Sequence, residues 1–148
     1  MFRGLAHLSL DSKARLAVPA KHRDALIVQC EGRLIITADP SHCLLVYPEP
    51  EWVPIEAKIM SLSGFNEQMR NLQRTIVGRA EEVAMDGAGR ILVPPKLREH
   101  AILDKRVVLV GLGRKFELWD EESWIKQCER ALPLKDGEMP VELEGFSL

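Results

Sequence analysis

Two short segments hold residue types that could do chemistry. In Leu10-Asp11-Ser12-Lys13-Ala14-Arg15-Leu16-Ala17-Val18-Pro19, an aspartate precedes an arginine by four positions. The pattern returns seventy-five residues later in Met85-Asp86-Gly87-Ala88-Gly89-Arg90-Ile91-Leu92-Val93-Pro94. Acid–base catalysis by Asp11 and Asp86 has little support, because a neighbouring guanidinium stabilises the ionised carboxylate and lowers its pKa. A single Asp-x-x-x-Arg would be read as a turn closed by a surface ion pair, worth about 0–1 kcal/mol. Two copies in the same frame point instead to a pair of equivalent displayed arginines. Arginine suits bidentate contact with phosphate and guanine, and a two-stranded ribbon fits the major groove. The candidate DNA contacts are Asp11, Lys13 and Arg15, with Arg3, Lys21 and Arg23 nearby in sequence, and Asp86 and Arg90 in the second copy. Lys13 adds a cation at the tip of the first loop. That loop is therefore expected to make the main contact, and the second mainly to support the fold.

Other chemistries fit poorly. Val108-Leu109-Val110-Gly111-Leu112-Gly113 resembles the start of a dinucleotide loop, but Phe116 stands where the third glycine belongs. A hairpin turn is the better reading there. His7, His22, His42 and His100 are scattered without metal-ligand spacing. No cofactor, metal or small-molecule substrate is expected, and the chain is not read as an enzyme. Cys30, Cys43 and Cys128 are odd in number and lack C-x-x-C spacing, as free thiols of a reducing cytoplasm would be.

With 148 residues, 46% hydrophobic and 28% charged, the chain can bury a core without disulfides. No apolar run approaches the roughly 20 residues of a membrane span, and Met1-Phe2-Arg3-Gly4 reaches Asp11 too soon for a secretory leader. The net charge of −2 conceals a gradient. Residues 1–25 hold five basic side chains against two acidic, whereas residues 115–148 hold four against nine. Only the front end offers the local positive potential that phosphate requires.

The elements that position the two motifs follow the repeat. Leu8 and Leu10 alternate with Ser9 as a half-buried strand, Asp11–Ala14 is turn chemistry, and Arg15–Val18 resumes a strand. The first unit thus reads as a hairpin with Asp11 and Arg15 at its shoulders. A short helix is predicted over Pro19–Leu26 with Leu26 and Ile27 turned inward, then strands Arg33–Thr37 and Cys43–Tyr47. Two bridging helices follow, the first opening at Pro50-Glu51-Trp52 with Pro54 in its first turn, the second from Asn66 to Ile76. The second unit repeats the plan with strands Ala80–Met85 and Arg90–Val93, helix Pro94–His100, strands Val107–Val110 and Phe116–Trp119, and helix Glu121–Ala131. Tyr47-Pro48-Glu49-Pro50-Glu51-Trp52 corresponds to Trp119-Asp120-Glu121-Glu122-Ser123-Trp124. The divisions are 1–50, a bridge at 51–77, 78–133, and an acidic, loosely ordered tail at 134–148. Either half alone would expose strand edges and an apolar face, so the halves should interlock about a pseudo-two-fold axis.

With the doubled D-x-x-x-R, its apolar residues and its proline, the chain resembles the MraZ family of SpoVT–AbrB-like proteins. The resemblance runs from Met1-Phe2-Arg3-Gly4 through Phe116-Glu117-Leu118-Trp119. It implies an α+β fold in which two tandem AbrB-like repeats form a swapped-hairpin β-barrel with flanking helices. It also implies a DNA-binding regulator of the division and cell-wall gene cluster, acting at short repeated boxes upstream of its own gene. The family's DNA-contacting motif falls on Asp11–Arg15 and Asp86–Arg90. Rings of several subunits and a cytoplasmic, nucleoid-associated location are further implications. The other reading is a structural or protein-interaction module on the same fold, as in antitoxin-like relatives. The family usually has glycine before the first arginine, and this chain has Ala14. If that backbone needs positive φ, alanine there costs roughly 1 kcal/mol.

Overall fold

The strands flanking each Asp–Arg loop do not pair with one another. The computed structural model describes residues 1–131 and 140–147. Its elements are β1 (Phe2–Ser9), β2 (Arg15–Ala17), α1 (Ala20–Cys30), β3 (Arg33–Ala38), β4 (Leu44–Pro48), α2 (Glu49–Met60), α3 (Glu67–Ile76), β5 (Glu81–Ala84), β6 (Arg90–Leu92), α4 (Pro95–His100), β7 (Arg106–Gly113), β8 (Lys115–Asp120) and α5 (Glu121–Ala131). Six strands form one antiparallel sheet in the order β1-β7-β8-β4-β3-β5, and β2 pairs with β6 in a separate ribbon. The hairpin expected from Leu8 to Val18 is therefore corrected. β1 lies against β7 of the second repeat, and β5 lies against β3 of the first. Local alternation identified the strands, but the unpaired edges of each repeat found their partners in the other.

The strand order reads the same from both ends once repeat counterparts are matched (β1 with β5, β7 with β3, β8 with β4). Each repeat thus contributes a β3–β4 or β7–β8 hairpin and an outlying strand lent to the other half. The sheet stays open, since β1 and β5 each pair on one side only. The turn between β7 and β8 joins Leu112 to Lys115 through Gly113 and Arg114, so the glycine-rich run is the hairpin turn expected of it.

The inner face of the sheet, the ribbon, α1 and α4 enclose the main core. It includes Leu16, Leu26, Leu34, Ile36, Leu44, Val46, Ile91, Leu97, Val107, Phe116 and Leu118. Alternate residues on the outer face fill two smaller clusters. Ile35, Leu45 and Tyr47 pack beneath α2 and α3 and meet Trp52 of α2, while Val108, Val110 and Trp119 meet Trp124 of α5. Central strands covered on both faces read as continuous apolar runs, as β3, β4 and β7 do.

Helix boundaries depart from expectation in two places. α1 runs on to Cys30, where Glu31 adopts φ 55 and Gly32 φ 76. His22, Leu26 and Cys30, four apart, form its buried stripe. Ile27 lies off that stripe and is 53% exposed, contrary to the inward placement expected. Pro54 is the sixth residue of α2, beyond its first turn. α3 begins as expected, with Asn66 Oδ1 accepting from the backbone N–H of Gln68 and Met69. Cys30, Cys43 and Cys128 are free, and Cys30 and Cys43 are buried. No helix among the described residues is long and apolar enough to cross a membrane. Of the expected tail, residues 140–147 contain one 3-10 turn at Val141–Leu143 and are exposed, while 134–139 and 148 lie outside the described residues.

Because each repeat completes the other's sheet, neither should unfold alone. Urea denaturation is expected to show one transition, with a single midpoint for Trp52 and for Trp119. Leu16→Ala should lower stability by about 2–5 kcal/mol, since Leu16 has no exposed surface and its loss leaves a cavity. Separate midpoints for the two tryptophans would contradict the exchange.

Candidate nucleic-acid interface

Each motif is a five-residue loop organised by its aspartate. Asp11 Oδ1 accepts from the backbone N–H of Lys13 and of Arg15, both at 2.9 Å, and Oδ2 accepts from Arg15 Nε at 2.7 Å. Asp86 does the same, accepting from the N–H of Ala88 and Arg90 at 2.9 Å and from Arg90 Nε at 3.0 Å. Backbone bonds close both loops in the same way, Asp11 N–H to Arg15 O at 3.0 Å and Asp86 N–H to Arg90 O at 2.8 Å. The residue before each arginine is left-handed, Ala14 at φ 60 and Gly89 at φ 77. The positive φ on which the cost of Ala14 depended is present.

Hydrogen bonds given by the Arg15 and Lys13 backbone, with the Arg15 side chain and its charge, hold the Asp11 carboxyl below its ordinary 3.8 against a smaller opposing effect of desolvation. The Asp86 carboxyl is lowered in the same way, first by the Arg90 backbone. These aspartates are structural anions, not proton donors.

The ribbon turns the two arginines to one side. Its register pairs Arg15 with Leu92, Leu16 with Ile91 and Ala17 with Arg90. Side chains alternate across a strand, so Leu16 and Ile91 point into the core and are buried, while Arg15, Ala17, Arg90 and Leu92 share the outer face. Leu92 is 54% exposed. The ribbon continues one step at each end, Val18 N–H donating to Gly89 O at 2.9 Å and Val93 N–H to Ala14 O at 3.0 Å. The loops therefore flank the ribbon, one at either end. Among the described residues, the terminal nitrogens of Arg15 and Arg90 make no hydrogen bond. Each guanidinium is held through Nε and leaves its outer edge for a ligand.

Asp11, Lys13, Arg15, Asp86 and Arg90 are thus brought to the ribbon and its two ends. Arg3 and Lys21 are not. Arg3 lies eight positions before Asp11, a separation of about 25 Å along an extended strand. Lys21 Nζ sits over Gly4, 3.4 Å from where a Cβ would be, which places its charge towards the start of β1. The histidines also gain neighbours that sequence spacing concealed. His42 stacks on His100 at 5.2 Å between ring centroids, and His22 packs edge-on against the Phe2–Phe116 pair. Among the described residues no group of three metal-ligating side chains forms. Leu92 and Ala17 were not anticipated as part of the displayed face. The alternation Arg15-Leu16-Ala17 and Arg90-Ile91-Leu92 is the signal for them, once the two segments are known to pair.

Ala14→Gly should leave stability unchanged or raise it by up to about 1 kcal/mol, because relief of the left-handed strain is offset in part by glycine's freedom in the unfolded chain. A fall in Tm would show the opposite balance. Acid should undo both loops late. An unfolded aspartate binds its proton near 3.8 and the folded ones only lower, so between those values the unfolded chain binds more protons and stability rises with pH. The loops are expected to stay ordered above pH 3.8 and to loosen as pH falls through the lowered values. Carboxyl NMR titration reads this directly, and an Asp11 or Asp86 titrating above 3.8 would refute it.

Comparison with known proteins agrees with this doubled construction. A family model described as "MraZ protein, putative antitoxin-like" matches residues 1–75 and again residues 76–139. A protein of Nitrosospira multiformis named "Transcriptional regulator MraZ" is 64% identical over 148 residues, covering all of both chains. Proteins of the same name from Nitrosomonas eutropha and Pseudomonas aeruginosa are 56% and 48% identical, again with both chains fully covered. Matched once per repeat by the family model and end to end by these relatives, the chain belongs to the MraZ family.

Proposed function

We propose that this chain is a DNA-binding transcriptional regulator that reads duplex DNA with the β2–β6 ribbon. The observation that carries the reading is the placement of Arg15 and Arg90 on one outer face, each held by its own aspartate. The pairing Arg15–Leu92 and Ala17–Arg90 sets the two guanidinium groups diagonally across the ribbon. The loops at its ends are separated by roughly 10–15 Å on strand geometry, close to the roughly 12 Å width of the major groove. A guanidinium already fixed at Nε loses less freedom on binding, and its outer edge matches the acceptor pair of guanine or a phosphate. The name carried by the relatives supports the same function.

In this reading Asp11, Lys13, Arg15, Asp86 and Arg90 form the reading surface, with Lys13 making the first loop the stronger contact. Arg3 and Lys21 act at a distance, on backbone phosphates beyond the ribbon. The targets are short repeated boxes upstream of the protein's own gene, in the division and cell-wall cluster. The protein works in the cytoplasm at the nucleoid, without cofactor or membrane partner. Its halves, 1–50 and 78–133 bridged by 51–77, interlock through the exchanged strands β1 and β5 around an open sheet in place of the closed barrel expected, and 134–148 is an acidic tail. A homo-oligomeric ring presents many ribbons to repeated boxes, so that weak single contacts add by avidity.

Fluorescence anisotropy with a box-containing duplex and a scrambled one tests the proposal. Wild type should prefer the boxes, with affinity falling steeply as salt rises. Arg15→Ala should weaken binding about tenfold and reduce the salt slope by about 1, and Arg90→Ala should do so to a lesser degree. Equal, salt-insensitive binding to both duplexes would favour the interaction-module reading. A monomer by light scattering would remove the ring.

A further inference from the structure

Arg23 and Arg98 are the repeat counterparts that lie eight positions beyond Arg15 and Arg90, and neither belongs to the proposed reading surface. Arg23 Nε donates to Val18 O at 2.7 Å, and Arg98 Nε donates to Val93 O at 3.2 Å. Val18 and Val93 are also the residues whose N–H groups cross to the other repeat's loop, at Gly89 O and Ala14 O. Each arginine therefore secures the residue that holds the opposite loop. The contact with the second loop is close. A Cβ at Gly89 would come within 2.5 Å of Arg23 Nε and 2.7 Å of its Cδ, so the arginine stem rests on the bare backbone of Gly89. Arg23 lines one crevice with Asp86, Gly87, Ala88 and Gly89, and Arg98 lines another with Asp11, Ser12 and Ala14. In the first loop the methyl of Ala14 stands where Gly89 leaves room, and the corresponding arginine bond is the longer of the two.

We infer that Arg23 and Arg98 are positioning residues acting across the repeats: Arg98 sets the first loop and Arg15, and Arg23 sets the second loop and Arg90. The inference rests on the DNA-binding reading and adds a coupling to it. The helix of one half fixes the angle at which the other half presents its arginine. A planar guanidinium suits this role, since Nε–H reaches the carbonyl while the flat stem packs against a loop backbone.

The test is a pair of double-mutant cycles on the full-length protein, read by anisotropy with the box duplex. Arg98→Ala should weaken binding about five- to tenfold, within the range for misplacing one reading arginine. That loss should almost vanish in an Arg15→Ala background and persist in full in an Arg90→Ala background. Arg23→Ala should show the mirror pattern, tied to Arg90 and indifferent to Arg15. Additive losses in every background, each with its own reduction in salt slope, would instead mean that Arg23 and Arg98 touch phosphate themselves, and would overturn the inference. Gly89→Ala provides an arm that removes no charge. Ala14 shows that alanine is accommodated at the equivalent left-handed position, so the variant should fold, displace Arg23, and add nothing to Arg23→Ala. Additivity there would also count against it. Amide exchange without DNA separates the two layers of the argument. Arg98→Ala should speed exchange at Val93, and Arg23→Ala at Val18. Faster exchange with unchanged affinity would overturn the positioning role, whereas failure of every form to bind duplex would overturn the DNA-binding reading and leave the clamp itself measurable.

Discussion

The structure depends on the crossing of β2 and β6 at Leu16 and Ile91. Each strand has only three residues, far too few for an isolated two-stranded ribbon to be stable in water. The crossing persists because its central pair is buried in the core shared by both repeats. Sealing Leu16 and Ile91 inside has a geometric consequence. In a structure of period two, the residues on either side must face outward. The orientation of Arg15 and Arg90 is thus a by-product of core formation. A one-residue slip of register would bury the arginines and expose the leucine and isoleucine, so the hydrophobic effect itself guards the display.

The second constraint is local and electrostatic. One carboxylate per loop takes two backbone donors and one guanidinium donor, which leaves little slack in a five-residue turn. The ion pair is partly exposed and contributes little as a charge interaction. Its significance lies in fixing direction. A long, flexible side chain is held at Nε before any ligand arrives, and the ordering cost that binding would incur is reduced accordingly. The left-handed residue at Ala14 or Gly89 is the backbone counterpart, its own N–H donating to Asp11 O or Asp86 O at 2.9 Å where the chain turns into the ribbon.

Much of this was legible in the residues. The doubled Asp-x-x-x-Arg, the proline after each copy and the correspondence of Tyr47–Trp52 with Trp119–Trp124 gave the repeat, the element order and the core tryptophans. Strand partnership was not legible, because alternation in Leu8-Ser9-Leu10 reports that a strand is half-buried and is silent about its neighbour. Proximity in sequence was not proximity to the loop for Arg3 and Lys21: Arg3 lies eight positions back from Asp11 along an extended strand, and Lys21, in the first turn of α1, reaches over Gly4. Ile27 failed for a related reason. One residue beyond Leu26 is a rotation of about 100° around a helix, enough to move a side chain from core to solvent. Arg23 and Arg98 occupy equivalent places in the two repeats, eight positions beyond Arg15 and Arg90, but their role requires knowing that Val18 and Val93 cross between halves.

Housing two repeats in one chain permits a difference that two identical chains could not. In a symmetric dimer of one repeat, both loops would carry the same tip. Here the ribbon, the aspartate bonds and the closing backbone bonds follow the pseudo-two-fold closely, while the tips diverge, Ser12-Lys13-Ala14 against Gly87-Ala88-Gly89. The divergence falls on exposed residues and on one left-handed position, where it disturbs neither the crossing nor the core. Charge and stiffness can therefore be adjusted on one loop alone. A duplex meeting this ribbon would find two arginines in equivalent geometry but in unequal fields, with the additional cation on one side only. On the proposed reading such an interface would be polar in the directional sense, and the two orientations of a non-palindromic site would be distinguishable even though the fold beneath is nearly symmetric.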